Sequence, residues 1–215
     1  MISAILLGAG KSKRMGVDKL SLPWGRKTIF EHCFEALWRS EVEELVVVLR
    51  VRNKEVKNLF EGQKVKVVIN PHSNEGMSTS IRRGVQAIDP TCHGILIALG
   101  DQPFLKTRTI NALIRAFDDG RKGIIVPSFR GRRGHPVIFH KRYKRELLNL
   151  KGDVGGRSII EKHPEDVRVV PLKSESVVKD VDTWHDYRKG QRKEAELKRG
   201  GHEKEDSDEI EKKPG

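Results

Sequence analysis

Short apolar runs alternate with segments whose apolar residues recur every three to four positions, from residue 3 to about residue 187. The runs at 3–7, 45–49, 65–69, 94–99, 123–127, 136–139 and 167–171 are rich in Val, Ile and Leu and show little alternation. Strands covered on both faces have that character. Between them the spacing predicts helices at 28–40, 53–60, 78–87, 107–118, 141–149 and 155–162. The first is the clearest, because Ile29, Phe30, Cys33, Phe34, Leu37 and Trp38 make one apolar face. On that face Cys33 is a packing residue rather than a nucleophile. Strands alternating with helices predict an open α/β sheet.

After residue 187 the apolar positions disappear. A chain of 215 residues therefore reads as one substantial domain over 1–187 and a charged tail over 188–215, expected to be frayed or disordered. The tail carries nine Lys/Arg against eight Asp/Glu, a net of +1, so the domain holds +11 of the total +12. Such a surplus suits a polyanionic partner, or is simply a solvated basic surface. Aromatic residues make up only 6% and are not interleaved with the basic ones, which gives single-strand nucleic-acid binding little support. Two cysteines without a CxxC spacing argue against a disulfide scaffold or structural zinc and fit a reducing cytoplasm. No apolar run is long enough to span a membrane.

The first strand runs into Gly8-Ala9-Gly10-Lys11-Ser12-Lys13-Arg14-Met15-Gly16. Glycines, backbone N–H groups and cations at a strand's carboxyl end suit a bound phosphate. Three nucleotide loops compete for this turn. The dinucleotide fingerprint needs glycine where Lys13 stands, and the Walker loop needs one where Ile5 stands. The third pattern, L-x-x-G-x-S-x-R-M-G-x-D-K, is complete in Leu7, Gly10, Ser12, Arg14, Met15, Gly16, Asp18 and Lys19. Arg14 and Lys19 can meet charge developing on a departing pyrophosphate. An ordinary strand-to-helix turn with solvated basic residues is the plainer alternative.

That pattern resembles the signature of the nucleotidyltransferases that activate the molybdenum cofactor. The resemblance implies a Rossmann-like three-layer α/β/α nucleotidyltransferase fold with a mostly parallel central sheet. It makes Leu7, Gly8, Ala9, Gly10, Ser12, Arg14 and Lys19 nucleotide-binding residues. Asn70-Pro71, then Gly76, Ser78 and Ser80, resemble the family's base-binding segment at a helix N-terminus; alone they read as a capped helix after a loop. Leu99-Gly100-Asp101-Gln102-Pro103 is similar to the family's L-G-D-x-P motif, which implies that Asp101 is a magnesium ligand. Out of that context an aspartate after a strand is a turn or cap residue.

Three further stretches extend the resemblance to residue 182. Gly134-His135-Pro136-Val137-Ile138-Phe139 is similar to an element lining the acceptor side, where His135 either bonds the acceptor or orients the loop. Gly152-Asp153-Val154-Gly155-Gly156-Arg157 is similar to a stretch of the cytidylyl branch. Asp153 is there an acceptor-side residue or a cap for the next helix. Arg157, in that helix's first turn, sits badly for the helix dipole and hints at an anion. Asp180-Val181-Asp182 places two carboxylates on one side of an extended segment. Asp182 is preferred over Asp180 as the second metal ligand, with a helix cap as the alternative.

Ala9, where the guanylyl branch carries glycine, tilts the nucleotide toward CTP over GTP. The resemblance then implies transfer of CMP from CTP to the phosphate of molybdopterin, with magnesium as cofactor and pyrophosphate released. It also implies handover of the product to a molybdenum hydroxylase. Other readings remain open: a guanylyltransferase for the same cofactor, a transferase for another phosphorylated acceptor, a cofactor-binding chaperone, or a nucleic-acid-binding protein.

Overall fold

The Val/Ile/Leu runs do form a sheet, and what fixes its order is which helix each run feeds into. The computed structural model describes residues 1–10, 15–50, 60 and 65–200. Ser12, Arg14, residues 53–59 of the helix expected at 53–60, and residues 201–215 lie outside them.

The strands and helices follow in the order β1 (Ile2–Gly8), β2 (Pro23–Trp24), β3 (Lys27–Thr28), α1 (Ile29–Trp38), β4 (Glu44–Leu49), β5 (Lys66–Ile69), α2 (Met77–Ala87) and β6 (Gly94–Leu99). Then come α3 (Thr107–Asp118), β7 (Ile124–Phe129), β8 (Arg132–Arg133), β9 (Val137–His140), α4 (Lys144–Leu148), α5 (Arg157–Lys162), β10 (Val167–Pro171) and α6 (Trp184–Gly200). The sheet order is β10-β7-β9-β6-β1-β4-β5, with β8 pairing β7. β1 lies between β4 and β6 and is parallel to both; β9 alone is antiparallel to both of its long neighbours.

Alternate residues of each central strand face opposite layers. Leu6, Val47 and Leu96 meet Phe30, Phe34 and Leu37 of α1 and Ile110 and Leu113 of α3. Ile5, Val46 and Ile97 meet Ile81 and Val85 of α2, Leu147 of α4 and Ile159 of α5. The chain is therefore a three-layer α/β/α sandwich with a mostly parallel sheet. Gly84 lets α2 approach closely: a Cβ there would sit 2.4 Å from a methyl of Ile5.

Local chemistry sets the helix ends. Thr28 and Glu31 form a reciprocal capping box, so α1 begins one residue later than the apolar periodicity suggests. The helix expected at 141–149 divides into a 3-10 turn, Lys141–Tyr143, and α4.

The tail departs from expectation. Residues 188–200 continue α6 rather than fraying. Tyr187 donates its hydroxyl to the Pro23 carbonyl at 2.6 Å, Gln191 donates to the same oxygen at 3.1 Å, and Gly190 packs against Trp24. Two turns are thus anchored to the β2–β3 hairpin, and Lys193-Glu194-Ala195-Glu196-Leu197-Lys198 is a run of strong helix formers. No described helix is long and apolar enough to cross a membrane.

Candidate active site

β1 and β6 are parallel neighbours, so their carboxyl ends deliver Gly8-Ala9-Gly10 and Gly100-Asp101 side by side. Ligands bind at this edge of open α/β sheets. Lys19 opens a 3-10 turn whose N-cap, Asp18, accepts from the Leu20 N–H at 3.2 Å. Its side chain reaches back and is only 7% exposed. The ammonium donates to Asp101 Oδ2 at 2.7 Å and to Asp182 Oδ1 at 2.7 Å. Asp182 arrives on an extended segment that is stitched to the site by the backbone, Val181 N–H donating to the Asp101 carbonyl at 2.9 Å. Sequence positions 19, 101 and 182 thus form one charge centre.

Burial works against the Lys19 charge, yet Asp101 and Asp182 together outweigh it and hold the ammonium above its ordinary value. Asp180 completes the cluster: one oxygen each of Asp101, Asp180 and Asp182 lies within 4.8 Å of the others. Loss of surrounding water, followed by repulsion from Asp182 and Asp101, raises the Asp180 carboxyl above the usual range. Asp101 Oδ1 is buried and has no hydrogen-bond partner. A buried carboxylate oxygen without a donor is costly. Three converging carboxylates with one orphaned oxygen fit a hard divalent cation.

On one side of this centre lies a cavity of about 420 Å³, large enough for a nucleotide. Leu7, Ala9, Gly10, Gly76, Ser80 and Asp101 are on its wall. Gly8 is not: its Cα abuts Phe30 and Leu49, where a Cβ would collide at 2.6 and 2.9 Å. Gly76 has φ +114° and lies against Gly152, so only glycine fits the entry to α2. Sequence reasoning missed Asn74, Glu75 and Met77 on the same wall, because nothing local marks a loop residue as facing a cavity.

Two residues expected at the nucleotide make hydrogen bonds within the protein. Asn70 is fully buried and donates to Thr79 Oγ1 and Ser80 Oγ, both at 2.9 Å, while accepting from the His72 N–H at 3.0 Å. Ser78 is fully buried and donates its hydroxyl to the Gly152 carbonyl at 2.6 Å. Asp153 does cap a helix, but not the one that follows it. Its carboxylate accepts from the Met77 N–H at 3.0 Å, at the start of α2. It spans 76 positions of sequence, and its own loop is then free to line the cavity.

A second cavity of about 560 Å³ adjoins the first and shares Met77 with it. His135 and Arg157 both line it. The His135 N–H donates to the Val177 carbonyl at 2.8 Å, and ring atom Nδ1 is buried with no partner. Burial holds the imidazole below its ordinary pKa, against the pull of Asp101, so the ring is neutral near pH 7. Arg157 is exposed and pairs with Glu161 one turn on, at 2.7 Å, which offsets its poor position on the dipole. Arg132 and Arg133 also line this cavity and went unnoticed in the sequence.

A glycine turn at the end of β1, a carboxylate centre at the sheet edge and two adjoining cavities fit a nucleotidyltransferase. The chain belongs to the family of the MobA-like NTP transferase domain, whose pattern matches residues 4–167. Nicotine blue oxidoreductase of Paenarthrobacter nicotinovorans is 30% identical, over 85% of this chain and 92% of its own length. Molybdenum cofactor cytidylyltransferase of Escherichia coli is 26% identical, over 86% and 93%. Among solved structures, the manganese complex of Rv0371C from Mycobacterium tuberculosis is 26% identical and superposes with a TM-score of 0.76, over 89% of this chain and 98% of that one.

Proposed function

We propose that this chain transfers CMP from CTP to the phosphate of molybdopterin, releasing pyrophosphate, with magnesium as the cation. The observation that carries the reading is the Lys19–Asp101–Asp182 centre, with its orphaned Asp101 oxygen, on the wall of a nucleotide-sized cavity that a second cavity adjoins. CTP is favoured because Ala9 stands on the first cavity's wall and because the Escherichia coli relative is a cytidylyltransferase. Ala9 narrows the space that glycine would leave open.

An acceptor phosphate oxygen attacks the α-phosphorus; the new P–O bond forms as the bond to pyrophosphate breaks, and pyrophosphate carries away the electron pair. Magnesium, held by Asp101 and Asp182 with Asp180 beside them, would neutralise phosphate oxygens. Lys19 contributes a fixed positive charge, and the Gly8–Gly10 turn brings backbone N–H groups to the triphosphate. Arg14 adds a second cation to the leaving pyrophosphate. His135, neutral and half-buried, offers the acceptor one hydrogen bond. Arg157 borders the acceptor, while Asp153 stands on the wall of the nucleotide cavity. The finished cofactor passes to a molybdenum hydroxylase.

The test is pyrophosphate release from each of the four triphosphates, with and without molybdopterin and magnesium. Release that needs CTP, molybdopterin and magnesium together supports the reading. Preference for GTP makes the chain a guanylyltransferase, and release with another phosphorylated acceptor alone replaces the acceptor. Molybdopterin binding without release from any triphosphate overturns catalysis in favour of a carrier role.

A further inference from the structure

The strongest unexplained charge in the molecule is the tip of the β7–β8 hairpin, Arg130-Gly131-Arg132-Arg133. Arg130 at φ 48° and Gly131 at φ 79° form a two-residue turn of the primed kind, which matches the twist of the two strands. Its base is held firmly. Ser128 pairs with Arg133, Gly134 N–H donates to the Pro127 carbonyl at 2.9 Å, and Gly134 is pressed against Val177. The three arginines differ in direction. Arg130 lies over the Phe129 ring, 5.3 Å from its centroid, whereas Arg132 and Arg133 line the 560 Å³ cavity.

Inside that cavity the floor is apolar: Ile97, Val126, Val137 and Phe139 are all buried against the sheet. Arg132 and Arg133 have no carboxylate partner among the described residues, while Arg157, also on this cavity, has Glu161. Arg132 and Arg133 thus bring two unpaired positive charges to the rim of an apolar floor. A ligand that is both flat and anionic relieves both features, because it covers the floor and supplies the missing charge. Asp101 lies on the neighbouring cavity, so this charge belongs to an end of the ligand away from the transferred phosphate.

We propose that Arg132 and Arg133 clamp the far end of the acceptor and select a flat, ring-bearing molecule with a second anionic group there. This rests on the reading of the second cavity as the acceptor site. A pair of dyes tests the clamp without relying on transfer. 1-Anilinonaphthalene-8-sulfonate is a flat anion, and N-phenyl-1-naphthylamine is the same ring system without the charge. The wild-type chain binds the sulfonate about tenfold more tightly than Arg132→Gln/Arg133→Gln does, and its affinity falls with salt. The neutral dye binds both proteins alike, and Arg130→Gln binds the sulfonate like wild type. Equal sulfonate affinity in wild type and the double variant overturns the clamp, as does equal loss of both dyes. In the transfer assay the double variant raises the KM for molybdopterin about tenfold and leaves that for CTP unchanged. If wild type transfers nothing to molybdopterin while the dye difference holds, the transfer reading fails and the clamp stands.

Discussion

Two aspartates at opposite ends of the sheet show how differently one side chain can be housed. Asp166 sits where β7 and β10 begin. One of its oxygens accepts from the Gly123 N–H at 2.9 Å, and the other accepts from Arg142 and the Tyr143 hydroxyl. Asp101 sits where β6 ends. One oxygen accepts from Lys19, and the other is buried with nothing to accept from. The first carboxylate closes its own hydrogen-bond account and fastens the 3-10 turn Lys141–Tyr143 to the starts of β7 and β10. The second is left with a valence to fill, and two more carboxylates stand beside it. Incomplete satisfaction, not charge or burial, is what separates these two aspartates.

Breaking Asp101 should produce the largest effect. Asp101→Ala is expected to lose at least about 1000-fold in turnover, or roughly 4 kcal/mol of transition-state stabilisation. Its melting temperature should stay within a few degrees of wild type, since an orphaned oxygen leaves with the side chain. Calorimetry beside the pyrophosphate assay checks both halves.

Lys19→Ala comes next, with a turnover loss of about 100-fold, close to 2.7 kcal/mol. It also leaves three carboxylates facing one another. Added magnesium should therefore raise the melting temperature of this variant more than that of wild type. An equal rise in both would mean that Lys19 does not share the cation's place.

Asp166→Asn inverts the pattern. It should cost about 2 kcal/mol of stability in urea unfolding and leave turnover per folded molecule unchanged. Acid sharpens the contrast by a smaller amount. Burial alone would raise the Asp166 carboxyl, but Tyr143, Gly123 and Arg142 together hold it below the usual range. A depressed folded-state pKa gives stability that is fully present above about pH 4 and is lost as pH falls further. Asp166→Asn should flatten that decline in unfolding measured between about pH 5 and pH 2.

The sheet was legible because its strands are continuous Val/Ile/Leu runs, and all seven expected runs became strands. The short pairs 23–28 and 132–133 were not, since two-residue strands carry no period to read. The antiparallel course of β9 follows from its placement between β6 and β7, which no local pattern encodes. Within the site, the resemblance paired Asp101 with Asp182, but nothing in the sequence put the Lys19 ammonium between them. The same limit explains Asp153, whose helix lies 76 positions away, and Asn70 and Ser78, whose polar atoms are used within the protein. Arg132 and Arg133 were hidden for another reason: among so many basic residues, only geometry distinguishes two arginines with a cavity in front of them. The helical course of residues 188–200 was not legible because its anchors, Tyr187 and Gln191, precede or interrupt the charged run.

Lys19 and Asp182 lie 163 positions apart and share one ion pair. Asp180 and Asp182 fall beyond residue 167, where the family pattern stops, on the strap that leads into α6. On a ribosome, then, the sheet and the first turn emerge well before the carboxylate that completes the centre. A nascent chain can form the first cavity yet lack the last carboxylate of the cluster, and a cut in the strap would return the finished protein to that state. The last contact of the charge centre therefore forms only when nearly the whole described fold has been made.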